Sequence, residues 1–152
     1  MAAGTFLIYA KNKDRISIRD LLSATVKLAL VTSAYTPNVE EDGHSVWADV
    51  SGNEIANGNG YTTGGATLAN DVATVIEDGV AYDSDDVVWT ASGGSIPAHR
   101  YYVMYVSGSL WGLTSPLIGY FVGDATPADI PATTDTNTLT AFAPSGGWYD
   151  FV

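Results

Sequence analysis

The run Tyr101-Tyr102-Val103-Met104-Tyr105-Val106 carries an apolar or aromatic side chain at every position. Successive side chains of an extended strand point to opposite faces. The run therefore predicts a strand covered on both sides, by a second sheet or by a neighbouring subunit. A second strand is predicted where Val26, Leu28 and Leu30 alternate with Lys27, Ala29 and Val31, a period of two. Val87 to Thr90 and Leu117 to Val122 add two short β-branched and aromatic runs.

Turn residues punctuate these runs. Asn57-Gly58-Asn59-Gly60 is the densest signal, because Asn and Gly tolerate positive φ. Gly64-Gly65, Asp78-Gly79, Gly93-Gly94 and Gly146-Gly147 supply further breaks. The expected class is all-β: a single-domain β-sandwich or barrel of short antiparallel strands joined by Gly-rich turns. Only Arg19 to Leu22 and Leu68 to Val72 have room for a helical turn. The 152 residues fit one domain. Within it, residues 1–122 are expected to form the sandwich or barrel with an N-terminal arm. Residues 123–152 add a Pro-containing loop, a last strand and an aromatic tail. Gly123 to Asn137, with Pro127 and Pro131, reads as a long surface loop or arm. Thr138 to Phe142 reads as the last apolar piece. The tail from Gly146 to Val152 holds three aromatics and is expected to dock on its own domain or on a partner.

Composition excludes several functions. There is no Cys, so packing alone must hold the fold. Seventeen acidic and six basic side chains give a net charge of −11. Phosphate backbones are bound through Lys and Arg, so neither nucleic acid nor an anionic membrane is an expected partner. The apolar start Thr5 to Ala10 is too short to span a bilayer, and Lys27 interrupts Leu21 to Val31. The chain reads as soluble and made in a cytoplasm.

Catalytic patterns are missing from the sequence. No G-x-S-x-G elbow occurs. His44 lies among Glu40, Glu41 and Asp42, and His99 precedes Arg100, so both read as loop or surface histidines. Asp83-Ser84-Asp85-Asp86 resembles the start of a calcium loop, but Val88 and Gly94 stand where Gly and Glu would be required. Asp85 or Asp86 is instead expected to cap a tight turn before Val87. The Gly-rich stretch from Gly58 to Gly65 is followed by Ala66-Thr67 rather than Lys-Ser or Lys-Thr, so it reads as turn chemistry. A glycosidase-like reading would pair carboxylates with Trp47, Trp89, Trp111 and Trp148 as sugar platforms. In a small β-protein those side chains read better as core or interface. No catalytic, cofactor-binding or metal-ligating residue is assigned, and no enzymatic activity is expected.

An ordered set of segments adds to this. Thr25 to Asn38 reads TVKLALVTSAYTPN, Asp49 to Ile55 reads DVSGNEI, and Gly60 to Leu68 reads GYTTGGATL. Asp83-Ser84-Asp85-Asp86-Val87-Val88-Trp89, Arg100 to Tyr105 and Ser115-Pro116-Leu117-Ile118-Gly119-Tyr120 follow. In order and spacing, over about residues 20–122, the set resembles a family of small virion structural proteins of tailed bacteriophages. The resemblance implies a particle component that decorates or cements the capsid, and it carries no catalytic residue. Met1 to Asp20 and the residues after Val122 have no counterpart in the pattern.

The expected partners are other copies of the chain, most simply as a trimer, and a major capsid protein, on the capsid surface of a virion. The alternative is a tail- or fibre-associated module that binds host glycans. Aromatic side chains dominate interfaces. Tyr101, Tyr105, Trp111, Trp148, Tyr149 and Phe151 are therefore the candidate contact residues, with core packing as the competing role for each. Trp89 is expected in the core, and loss of Gly146 to Val152 is expected to leave the fold standing.

Overall fold

Strands are numbered in chain order, and the central one is β7, Tyr101–Ser107. It pairs antiparallel with β2, Thr25–Val31, in unbroken register from Thr25↔Ser107 to Val31↔Tyr101. Its other neighbour is β10, Leu117–Val122, again antiparallel. Two-residue strands flank these three: β1, Leu7–Ile8, beside β10, and β3, Ala66–Thr67, beside β2. The structure, a computed structural model, describes the backbone of residues 2–151 and the side chains of residues 2–150.

Both faces of β7 are buried. Tyr102, Met104 and Val106 join Val26, Leu28 and Leu30 of β2 and Ile118 and Phe121 of β10 in the larger core. Val103 and Tyr105 join Ala29, Val31 and Leu117 in a smaller core on the opposite face. A register shift between Leu117 and Gly119 reverses the alternation, so that Ile118 and Phe121, three residues apart, both face the larger core while Leu117 and Tyr120 face the smaller one. Gly119 is required there: an added Cβ would collide with the Phe6 ring and sit 2.5 Å from the Leu7 carbonyl oxygen.

A second layer covers the larger core. Strands β4, Val72–Ile76, and β5, Gly79–Asp83, form a hairpin, and β12, Tyr149–Phe151, pairs with β5. Strand β6, Val87–Thr90, pairs with β11, Thr138–Ala141. Tyr82, Val87, Trp89, Leu139, Ala141 and Trp148 reach the larger core from this layer. The smaller core is covered by Tyr9 and by Tyr35, Val39, Trp47 and Val50 of the segment after β2. A short hairpin of β8, Ser109–Leu110, and β9, Leu113–Thr114, joins β7 to β10. The one α-helix among the described residues is α1, Ile18–Ser23, which anchors Leu21.

The fold is all-β, as expected, and its layered sheets are open, so no barrel closes. The helical turn expected over Arg19 to Leu22 lies inside α1. Leu68 to Val72 is not helical. Leu68 N–H donates to the Val26 carbonyl, Asn70 takes φ +53°, and Val72 starts β4. The segment from Gly123 to Asn137 has no strand, but it is not a free arm. It bridges to residues 96–99 through Ile96↔Thr133 and His99↔Ile130, Ile130 is buried, and Asp129 pairs with Arg100 at 2.8 Å.

The Gly-rich stretch is turn chemistry that also ties the layers. Gly65, at φ +80°, lies so close to β2 that a Cβ would collide with the Leu28 carbonyl oxygen. Glu54 Oε1 accepts from the Tyr61 hydroxyl and from Gly64 N–H, both at 2.6 Å. The Tyr105 hydroxyl donates to the Gly64 carbonyl at 2.7 Å.

The tail docks on its own domain. Trp148 N–H donates to the Tyr82 carbonyl at 2.7 Å, and its indole N–H donates to Ser84 Oγ at 2.8 Å. Its ring stacks on Phe121 at 5.8 Å between centroids. Removing residues 146–152 is therefore expected to destabilise the fold, against the expectation from sequence. It deletes a core Trp, a change that costs about 3–5 kcal/mol even as Trp→Ala, together with strand β12. Urea unfolding of the truncated chain checks this, and an unchanged midpoint would refute it. Trp89→Ala is expected to cost about 3–5 kcal/mol through cavity formation, because Trp89 is buried against Tyr61 and Tyr102. An unaltered melting temperature would contradict that placement.

Candidate functional site

The candidate contact residues fall into different environments. Tyr101 is half-buried at the rim of the smaller core, with its ring edge-on to Tyr35 and Tyr120 at 5.6 and 5.8 Å. Tyr105 is a core residue. Trp47 stacks on it at 4.4 Å, nearly parallel, and burial pushes its phenol up to about 12. Trp148 is also a core residue, as the tail geometry requires. These two assignments as contact residues are corrected: each side chain is used up in packing its own domain. Trp111 sits at the tip of the β8–β9 hairpin at φ +54°, half-buried, and its indole N–H donates to Asp20 Oδ2 on α1 at 2.8 Å. Tyr149 is half-buried against Phe6 at 5.8 Å. The side chain of Phe151 lies outside the described residues.

Beside Tyr101, the smaller core opens onto a tyrosine-rich surface. The Tyr9 and Tyr35 hydroxyls are 2.9 Å apart, and the Tyr35 hydroxyl is 2.9 Å from His44 Nδ1. Burial pushes both phenols well above the ordinary range, so the chain of hydroxyls stays neutral. His44 is thus a half-buried partner of Tyr35 rather than a solvated loop residue.

The acidic run serves structure. Asp83 accepts from Ser84 N–H, Asp85 from Asn70 Nδ2, and Asp86 from Ala143 N–H, at 2.6 to 2.8 Å. Asp85 and Asp86 thus tie distant segments together instead of capping the turn before Val87. Among the described residues no group of three or more His, Asp or Glu is placed to hold a metal ion.

Two adjoining hollows of about 250 and 150 Å³ run beside Ala3 to Phe6. Their walls include Tyr102, Phe121, Ile130, Phe142 and Trp148 and, among the described residues, carry no carboxylate, imidazole or amine. Phe142, at their mouth, is 73% exposed. It lies two residues beyond Thr140, which pairs with the exposed Val88 of β6. Strand β4 adds Val72 and Val75, the latter 83% exposed. The second layer therefore presents the larger share of the uncovered apolar side chains.

Sequence reasoning missed His99. It is buried rather than a surface residue, its ring edge-on to Tyr102 at 5.0 Å, and its Nε2 has no hydrogen-bond partner. Its only signal was the apolar Ile96-Pro97-Ala98 preceding it. Burial pushes its imidazole down to about 4, against weaker opposition from the Pro97 carbonyl and Asp129. The folded state therefore holds His99 neutral while the unfolded chain takes up a proton below about 6.5. Its stabilising contribution is complete above that value and is lost as pH falls from about 6.5 toward 4. Carboxylates titrate in the lower part of this window, so the check is a difference. Unfolding free energies of wild type and His99→Gln are expected to converge by about 2–3 kcal/mol on acidification. A pH-independent difference would refute the neutral buried imidazole.

No family model, no curated protein and no solved structure matches this chain.

Proposed function

We propose that the chain is a non-enzymatic structural component of a tailed-bacteriophage particle, a decoration protein that oligomerises and binds the outer capsid lattice. The observation that carries this reading is the uncovered apolar surface of the second layer. Val72, Val75, Val88 and Phe142 are all exposed on a chain of net charge −11. Val88 and Phe142 lie near one another at the β6–β11 pair, and exposed apolar groups that lie together mark surfaces that bind partners. The ordered resemblance of residues 20–122 to small phage virion proteins supports the choice of partner. Binding at lattice junctions would stabilise the assembled shell by mass action, as any ligand of a native state does. Self-association and the major capsid protein are the partners of this reading, and the virion surface is its location.

A tail- or fibre-associated module is the second reading. The half-buried Tyr101 and Tyr120, linked to His44 through Tyr35, favour it, because aromatic rings with nearby polar groups suit sugar faces.

Cosedimentation with capsids that lack the protein separates the two. Saturable binding, with electron-microscopic density at lattice junctions, is the expected result. Absence of binding to every capsid form would overturn the decoration reading and leave glycan recognition as the reading to screen.

A further inference from the structure

Strand β4 reads Val72-Ala73-Thr74-Val75-Ile76, five uncharged residues of which four are β-branched. It has one neighbour, β5, and Val72, Ala73, Thr74 and Val75 are all exposed, so neither of its faces is covered. Helix α1 lies beside β4 and leaves these four residues open. It is the longest edge strand among the described residues; β1 and β3 have two residues each and β12 three.

The register shows which backbone groups face outward. Ile76↔Gly79 closes a two-residue loop, so that pair exchanges hydrogen bonds and the alternate pairs do too. Ile76, Thr74 and Val72 therefore bond inward to β5. The N–H and C=O of Ala73 and Val75 point away from it, and no other backbone bond reaches them among the described residues. An extended segment laid along β4 would find four backbone groups at strand spacing.

Charge decides what that segment is. The β4–β5 hairpin and its flanks carry Asp71, Glu77, Asp78, Asp83, Asp85 and Asp86, and no Lys or Arg occurs anywhere between Lys27 and Arg100. The antiparallel register in which a second copy uses all four groups, Ala73↔Val75, would place Asp71 against Glu77 at both ends. Like charges directly opposite are destabilising. The acids thus repel another copy and attract a cationic partner.

We propose that β4 is a docking strand for an extended segment of a partner protein, with an uncharged β-branched centre and Lys or Arg at each end. The six-residue step from Asp71 to Glu77 sets the spacing of those cations at roughly 20 Å. The proposal rests on the assembly reading above and names the chemistry of the partner surface.

The test uses the full chain and the synthetic peptide Lys-Lys-Val-Thr-Val-Thr-Val-Lys-Lys, with a Glu-flanked peptide of the same centre. Amide hydrogen exchange read by NMR is expected to slow about tenfold or more at Ala73 and Val75 with the Lys-flanked peptide only. The double change Ala73→Pro/Val75→Pro removes both outward donors without touching the bonds to β5. It is expected to lower peptide affinity about tenfold or more with the far-UV circular dichroism unchanged. Should that variant fail to fold, Asp71→Asn/Glu77→Gln/Asp78→Asn keeps the strand and is expected to weaken the Lys-flanked peptide several-fold at low salt. Absence of protection, equal binding of the Glu-flanked peptide, or concentration-dependent protection without peptide would overturn the proposal. The last of these would assign the edge to a second copy. Capsid binding through another surface can succeed while the peptide fails, so this inference and the decoration reading fail separately.

Discussion

Strand β7 needs cover on both faces, and each half of the chain supplies one of them. Its even-numbered side chains, Tyr102, Met104 and Val106, turn to the larger core, and Val103 and Tyr105 turn to the smaller one. A sheet buried on one face can leave the other in water, but this one cannot. The segment after β2 must therefore fold back as a lid carrying Tyr35, Val39, Trp47 and Val50. The residues from β4 onward must return over the opposite face with Tyr82, Trp89, Leu139 and Trp148. Glu54 holds the lid's end, accepting from Tyr61 and Gly64 while Tyr105 reaches the Gly64 carbonyl from β7 itself. The polar groups of Glu54, Tyr61 and Tyr105 are satisfied by this stitching, which lowers the cost of covering β7 there.

Surface chemistry follows from how the two covers differ. The lid over the smaller core is loop and short 3-10 turns rather than sheet, and what it leaves open is the aromatic rim of Tyr101 and Tyr120. The second layer is built of short sheets that do not close, so it ends in edges and in outward-facing apolar side chains such as Val88 and Phe142. Exposed edges and apolar side chains are a consequence of covering a two-sided strand with open sheets.

What is legible in the sequence is the apolar run: alternating in β2, continuous in β7 and short in β6 and β10. Strands β2, β6, β7 and β10 are readable because β-branched, aliphatic and aromatic residues dominate them, with Gly119 the one break, inside β10. Trp89 is expected in the core because Trp in a small β-protein reads as core or interface, and it is buried. Strand β4 is not readable, since Val72-Ala73-Thr74-Val75-Ile76 shows no alternation: its two faces are equally uncovered. The candidate contacts were legible only in part. Aromatic identity does not say whether a ring meets a partner or its own domain. Trp148 is buried because Ser84, 64 residues away, accepts its indole N–H, and Tyr105 because Trp47 lies flat on it. His99 escaped notice because its burial depends on Ile130 returning across the chain. These are long-range pairings, which local pattern does not encode.

The acids around β4 bear on how its exposed edge is guarded. An open, uncharged edge strand is a template for aggregation, and native proteins guard such edges with charge. Here the guards stand at the ends, Asp71 before the strand and Glu77 and Asp78 after it, rather than within it. Asp71 is held in place by the buried Tyr82, whose hydroxyl donates to it at 2.9 Å. A charge inside the strand would block every incoming segment alike. Charges at the ends leave the backbone groups of Ala73 and Val75 open and make access depend on the partner's own charge. Repulsion between like copies and attraction to a basic segment then come from the same three carboxylates. The edge is protected against this chain at high concentration without being closed to a different one.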